Sequence, residues 1–347
     1  MQTGKILMAN YLFYISQNYS FEILRPLQQA IWARGDRCAW FVEGNQINLK
    51  NFEANETQLA SIEAVIDFAP LAVFVPGNVV PNFIPGFKVQ VFHGLEYKKK
   101  GHFRIRDFFD LYCTQGIITT SEFQRLAQLH KNFHVVETGW SKLDPLFKTR
   151  AYAVKSKLPV ILYAPTFSPN LTSAVECFKE IKRLVDKGEQ YWLVKFHPKM
   201  NPQWIEMYQQ IKADNFEIVT IDSCLPLHQR ADILLSDTSS MVGEFLLLNK
   251  PVVTFKNADP GNYLINIDSS ENLAVSIATG LTKPSKLMQL IKDYKQKLHP
   301  FSDGKASQRI LQAVDQLIEE PVGLTRKRPI NIFRSLTLRK KLGYWKL

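Results

Sequence analysis

The sequence predicts an α/β protein built of two doubly wound units, each a parallel sheet covered by helices. Three observations lead there. Short apolar runs rich in Val, Ile, Leu and aromatic residues alternate with helix-period segments as far as Glu137, and the alternation restarts at Val160. At 347 residues the chain is too long for one core and suits two domains of roughly 150 residues each. Polar residues gather where strands end: His93-Gly94, Pro165-Thr166, His197-Pro198 and Asp237–Ser240. Open α/β sheets bind ligands at their carboxyl edges, so these four places are candidate site segments, and two such sheets would place a cleft between their facing carboxyl edges.

In chain order, Lys5–Ile15 holds a strand, Phe21–Ala33 an amphipathic helix closed by Gly35, and Cys38–Val42 a second strand. Ala64–Phe68 and Ala72–Val75 are short apolar runs, and Lys88–Phe92 is a strand leading directly into His93. Asp110–Thr114 is a strand, Ser121–His130 a helix capped by Thr120 or Ser121, and His134–Glu137 another strand. A polar, basic stretch at 139–157 reads as a linker. Beyond it come a strand at Val160–Ala164, a helix at Thr172–Lys187, a strand at Tyr191–Phe196, a helix at Pro202–Ala213 and a strand at Phe216–Thr220. Ala231–Phe255 reads as strand, polar turn, helix, strand, with Asp237 or Ser239 as helix cap. Helices at Leu287–Leu298 and Asp303–Leu317 follow. The expected divisions are 1–145, 158–320 and a tail at 321–347.

Composition narrows the class. Hydrophobic residues make up 46% and charged residues 22%, the balance of an ordinary globular protein. The four cysteines have no CxxC spacing and read as buried thiols of a reducing compartment. No apolar run approaches the ~20 residues of a membrane-spanning helix, and the N-terminal run lacks the pattern of a signal peptide. The expected location is the cytoplasm. Eight basic residues and no acidic one fall within 321–347, so most of the formal net charge of +11 belongs to the tail. There the basic residues alternate with Ile330, Phe333, Leu336, Leu338 and Trp345, the pattern of an amphipathic segment drawn to an anionic membrane surface. A nearly neutral remainder without a nucleic-acid motif argues against nucleic-acid binding.

The chemistry that remains is handling of a phosphorylated donor. Thr238, Ser239 and Ser240 stand at a predicted helix start, where free N–H groups and the helix dipole favour a phosphate; simple capping is the alternative. His93 ends a strand and is a candidate general base, with Gly94 permitting close approach and Lys98 and Lys99 adding positive charge. His197 has the same placement between Lys195 and Lys199, where it can donate to a phosphate oxygen and stabilise departing negative charge. Each histidine could instead be structural. The chain has no DxD, HExxH, GxxxxGK[ST], GxSxG or GxGxxG, so neither a metal nor a dinucleotide cofactor is expected.

VFHGLEYKKKG (91–101), TGWSKLD (138–144), ILYAPTF (161–167), KFHP (195–198), ADILLSDTSSMVGEFLLLNKPVVTF (231–255) and DGKASQRI (303–310) occur in that order. As an ordered set they resemble the CDP-glycerol glycerophosphotransferase family of teichoic acid primases and polymerases and related capsule enzymes. The resemblance implies a GT-B architecture of two Rossmann-like domains, the N-terminal one for the acceptor and the C-terminal one for the donor. It implies transfer of glycerol phosphate from CDP-glycerol to a hydroxyl of a membrane-associated glycan or polyol-phosphate acceptor, releasing CMP. His93 would activate the acceptor hydroxyl, beside Gly94, Lys98 and Lys99. His197 would meet the donor phosphates together with Lys195, Pro165, Thr166 and Thr238–Ser240, and Glu244 would meet the ribose. Thr238 stands where the family commonly has tyrosine, and Glu244 where it has aspartate. Two other readings stay open: a GT-B glycosyltransferase using a nucleotide sugar for capsule or lipopolysaccharide, and a non-catalytic GT-B scaffold at the membrane. The expected location is then the cytoplasmic face of the cell membrane, with the tail as anchor.

Overall fold

Strand runs with no polar alternation must be buried on both faces, and in the computed structural model they form two entirely parallel sheets. The structure describes residues 8–95, 97, 101–221, 223–319, 326, 329 and 332–345. The first sheet comprises β1 (Asn10–Ile15), β2 (Arg37–Val42), β3 (Gln58–Leu59), β4 (Ala72–Val75), β5 (Phe87–Gln90), β6 (Leu111–Thr114) and β7 (His134–Glu137). Helices α1 (Ser20–Ala33), α2 (Ile62–Phe68) and α3 (Ile117–His130) connect them. The strand order is β3-β2-β1-β4-β5-β6-β7, so the winding reverses between β1 and β4. Tyr11 to Ile15 and Ala72 to Val75 are essentially inaccessible, which identifies the central strands.

The second sheet has β8 (Val160–Tyr163), α4 (Phe178–Lys187), β9 (Tyr191–Val194), α5 (Pro202–Gln209), β10 (Phe216–Ile218), α6 (Leu225–Arg230), β11 (Ile233–Ser236), α7 (Met241–Leu246), β12 (Val252–Phe255) and β13 (Ile265–Ile267), then α8 (Leu273–Leu281) and α9 (Ser285–Leu298). Its order is β10-β9-β8-β11-β12-β13, with the reversal between β8 and β11, where Leu234 pairs with Leu162 on one side and Val252 on the other. Fully buried Trp192, Tyr163, Phe245 and Phe255 fill the two sides of this sheet.

Local chemistry moved several expected boundaries. The 64–68 run is a helix because Ser61 Oγ accepts the Ala64 N–H and starts the turn. Helix α3 begins four residues before the expected cap. Thr119 and Thr120 lie inside it and turn their hydroxyls back onto the Gly116 carbonyl, each at 2.9 Å.

The domain division is corrected at both ends. The compact units are 1–147 with 298–347, and 148–297. Helix α10 (Ala306–Glu319) thus belongs to the first unit rather than ending the second. The cause is a set of bonds joining two sequence blocks 160 residues apart. The buried Asp144 carboxylate accepts the N–H groups of Ala306 (2.7 Å) and Ser307 (2.8 Å), capping α10 from across the chain. Arg309 Nε donates to the Thr138 carbonyl at 2.8 Å, and the Trp140 N–H to His299 Nε2 at 3.0 Å. Gly139 has φ +79°, and a Cβ there would lie 2.9 Å from His299 Nε2, so only glycine passes this junction.

The tail is corrected in part. Helix α11 (Ile332–Leu342) packs on the first unit, with Leu338 buried among its core residues. Arg334 Nη1 donates to the Arg106 carbonyl at 2.6 Å, and its guanidinium lies 5.0 Å from the Phe108 ring centre. Arg339 covers Phe83 at 4.6 Å. Ile332, Phe333 and Leu336 remain on the outside, with Phe333 86% exposed.

Candidate functional site

In the first unit β5 stops at Gln90, two residues before the expected end. The buried Phe92 has φ +58°, a left-handed conformation that costs a non-glycine residue ~1 kcal/mol and turns the chain sharply. Packing of its ring against Phe123 (5.2 Å) and His102 (5.5 Å) compensates. The turn leaves His93 exposed at the carboxyl edge of the sheet. Its Nδ1 is 3.3 Å from the Pro76 carbonyl. A carbonyl only accepts, so Nδ1 carries the proton and Nε2 presents a lone pair, the form a general base needs. Buried Gln90 fixes that carbonyl: its Nε2 donates to Gly77 O (2.7 Å) and Pro76 O (3.3 Å). Tyr19 lies against the imidazole at 5.6 Å, and the Gly94 carbonyl accepts from buried Gln115. Neighbouring His102 has its pKa lowered to about 4, by burial first and then by His93, which leaves it neutral. His93 borders a pocket of about 650 Å³ that also takes in Tyr14, Arg104, Arg106 and Arg334. Lys98 and Lys99 lie outside the described residues.

In the second unit the expected donor-binding residues follow three adjacent strands, β9, β8 and β11. Lys195 and His197 follow β9, Pro165 and Thr166 follow β8, and Thr238 to Ser240 follow β11. Because the strands are parallel, all of these stand at one edge of the sheet. His197 is exposed, and its Nδ1 accepts the Lys199 N–H at 3.0 Å. That bond requires a bare Nδ1, so Nε2 carries the proton and faces outward as a donor. Burial, then Lys199 and Lys195, lower the His197 pKa. Phe167 stacks on the imidazole at 4.4 Å and carries Lys199 Nζ 5.8 Å from its ring centre.

Asp237 does not cap α7. It is fully buried, and its carboxylate accepts Thr166 N–H (2.9 Å), Ser173 N–H (3.0 Å) and Ser173 Oγ–H (3.0 Å). Burial pushes its pKa up against these donors. Asp237 therefore shapes the loop after β8 that carries Phe167. Helix α7 is only six residues long and its N-cap, Ser240, makes no side-chain cap bond, while Ser239 Oγ accepts Met241 N–H at 3.3 Å. Thr238 Oγ1 accepts the Ala258 N–H at 3.0 Å and ties down the segment after β12. Glu244 is buried and engaged within the protein rather than displayed at the edge. The sequence reading missed Gln90, Arg104, Arg106, Phe167 and Arg334. Arg104-x-Arg106 was a visible signal just after the lysine run, whereas Arg334 is far away in sequence.

Among the described residues no group of three or more His, Cys, Asp or Glu is placed to hold a metal ion.

Comparison with known proteins places this geometry. Residues 96–316, more than half of the chain, match the family model of CDP-Glycerol:Poly(glycerophosphate) glycerophosphotransferase. The teichoic acid glycerol-phosphate primase of Bacillus subtilis (strain 168) is 27% identical over 240 residues, 62% of this chain and 61% of the primase. The teichoic acid poly(ribitol-phosphate) polymerase of Bacillus spizizenii is 30% identical over 223 residues, 54% of this chain and 35% of the polymerase. The chain thus spans less than two thirds of the length of these relatives. In three dimensions it is similar to the wall teichoic acid polymerase TagF (TM-score 0.63, 15% identity, 90% of each chain). It is also similar to the UDP complex of Staphylococcus aureus MnaA (TM-score 0.63, 18% identity, 93% of this chain and 99% of the other). Both support the GT-B fold class. With its sheet order, its histidines at the strand ends and its matched span, the chain belongs to the CDP-glycerol:poly(glycerophosphate) glycerophosphotransferase family.

Proposed function

We propose that the protein transfers glycerol phosphate from CDP-glycerol to a hydroxyl of a glycan or polyol-phosphate acceptor, releasing CMP, in synthesis of a cell-surface polymer such as teichoic acid. The observation that carries this is the opposite hydrogen bonding of the two strand-end histidines. The acceptor oxygen attacks the glycerol-side phosphorus and gives its proton to His93 Nε2. The bond from that phosphorus to the bridging oxygen breaks, and CMP keeps the bridging oxygen and its electron pair. His197 Nε2–H, with Lys195, stabilises the charge that CMP takes away. Thr238, Ser239 and Ser240 offer hydroxyls and N–H groups to the donor phosphates, Pro165 and Thr166 border them, and Gly94 admits the acceptor. Glu244, the expected ribose partner, is buried and engaged within the protein and carries no part of this reading. Among relatives of the same fold, TagF has been soaked with CDPG.

The outer side of α11, with exposed Ile332, Phe333, Leu336 and Lys340, supports peripheral contact with an anionic membrane on the cytoplasmic face. Among the described residues no helix is long and apolar enough to cross a membrane.

The test is release of CMP from CDP-glycerol by the purified chain with a lipid-linked glycerol-phosphate acceptor, run beside UDP-sugars. CMP release dependent on acceptor is expected. Turnover of a UDP-sugar with none of CDP-glycerol would replace the reading by that of a glycosyltransferase, and turnover of neither by that of a scaffold.

A further inference from the structure

The pocket beside His93 is strongly cationic, and a helix distant in sequence builds one of its walls. Arg104 and Arg106 come from the segment before β6, Arg334 and Lys341 from α11. Glu43, the one carboxylate among the described lining residues, is buried and already bonded to Lys341 Nζ. Among the described residues no carboxylate pairs with Arg104 or Arg106. Like charges are crowded together on this lining. Burial, then Arg104, and more weakly Arg334, lower the pKa of the Arg106 guanidinium, with Tyr112 opposing them. Tyr14, 2% exposed on the pocket lining, has its hydroxyl beside the Glu43 carboxylate, and burial, then Glu43, push its pKa up. The wall is also held in place: Arg334 is fixed by the Arg106 carbonyl and the Phe108 ring, and α11 by buried Leu338. Fixed guanidinium groups recognise phosphate through paired N–H donors at little entropic cost.

We infer that this pocket is the subsite for a phosphate ester of the acceptor, held by Arg104, Arg106 and Arg334 so that the acceptor's terminal hydroxyl meets His93. The inference rests on the reading of His93 as the acceptor's base and specifies the acceptor as one phosphorylated close to the hydroxyl that reacts. It also gives α11 a place in the acceptor site in addition to any membrane contact.

The test is arginine modification by phenylglyoxal on the full chain, read by peptide mass spectrometry, with inorganic pyrophosphate as probe and saturating CMP filling the nucleotide site. Pyrophosphate is expected to slow modification of Arg104, Arg106 and Arg334 at least fivefold. Unchanged modification overturns the inference, as does protection by phosphatidylglycerol vesicles without protection by pyrophosphate, which would make the pocket a lipid-headgroup contact. Arg104→Gln, at an exposed position that the core does not need, is expected to raise the acceptor KM about tenfold, while the Kd for CDP-glycerol stays that of the parent protein. An unchanged acceptor KM counts against the inference. Protection by pyrophosphate together with absent CMP release would keep the anion site and remove the transferase reading.

Discussion

His93 and His197 look interchangeable in the sequence: each follows an apolar strand, and each has lysines nearby. The structure separates them by one bond apiece. His93 gives its Nδ1 proton to a carbonyl and keeps Nε2 bare, whereas His197 takes an N–H on Nδ1 and keeps its proton on Nε2. The first is prepared to accept a proton and the second to donate a hydrogen bond. Strand-end placement marks both rings as candidates, and the partner of Nδ1 says which chemistry each ring can do. Both rings stand among cations, but the immediate neighbours differ. Tyr19 and His102 lie beside His93 with Arg104, Arg106 and Arg334 on the same pocket, and Lys195 and Lys199 flank His197.

The most severe way to break this contrast is substitution at both positions. His93→Ala should lower kcat by 10²–10⁴, the usual worth of a general base, with the Kd for CDP-glycerol little changed. His93→Gln should be as poor, because an amide cannot accept a proton. His197→Ala should lower kcat by about 10²–10³, as expected for loss of a donor that stabilises developing charge. His197→Gln, which keeps an N–H near the former Nε2, should recover about tenfold. Acceptor-dependent CMP release measures all four, and equal behaviour of the two glutamine variants would erase the distinction.

Next in size is the support that each unit takes from one buried aspartate. Asp237→Ala removes the acceptor for three donors at the loop carrying Phe167, and should cost about 3 kcal/mol in denaturant unfolding together with weaker donor binding. Asp144→Ala removes the cap of α10 and should cost about 1–2 kcal/mol, with CMP release retained once folded. The two aspartates thus differ in kind, one serving the proposed donor edge and the other the closure of the first unit.

Much of the architecture was legible because buried parallel strands are marked by apolar runs: Ala72–Val75, Val160–Tyr163 and Ile233–Ser236 fall where the runs do. Helix starts were less legible, since Thr120 and Asp237 are good capping residue types that are used elsewhere, in a helix interior and under a loop. The domain assignment of 298–319 was hidden for a different reason. It depends on Asp144 and Thr138 meeting residues 306–309, a long-range pairing without any local periodicity. Within the site, residues at strand ends could be found from the pattern, but Gln90 and Arg334, which act through tertiary contacts, could not.

The smallest expected effect is also the most direct measure of the contrast. His197 starts with its pKa below the ordinary 6.5 because of burial and then Lys199 and Lys195, so its NMR titration midpoint should lie below pH 6.5. Lys199→Ala removes one like charge, and the midpoint should move up toward 6.5. A bound diphosphate offsets the lysines and favours the imidazolium, so the midpoint should also rise when CDP-glycerol is added. Since the bound pKa then exceeds the free one, donor binding takes up protons and tightens as pH falls through that interval. Proton uptake measured by calorimetry in buffers of different ionisation enthalpy checks the sign; proton release would mean that the donor phosphates do not sit beside His197.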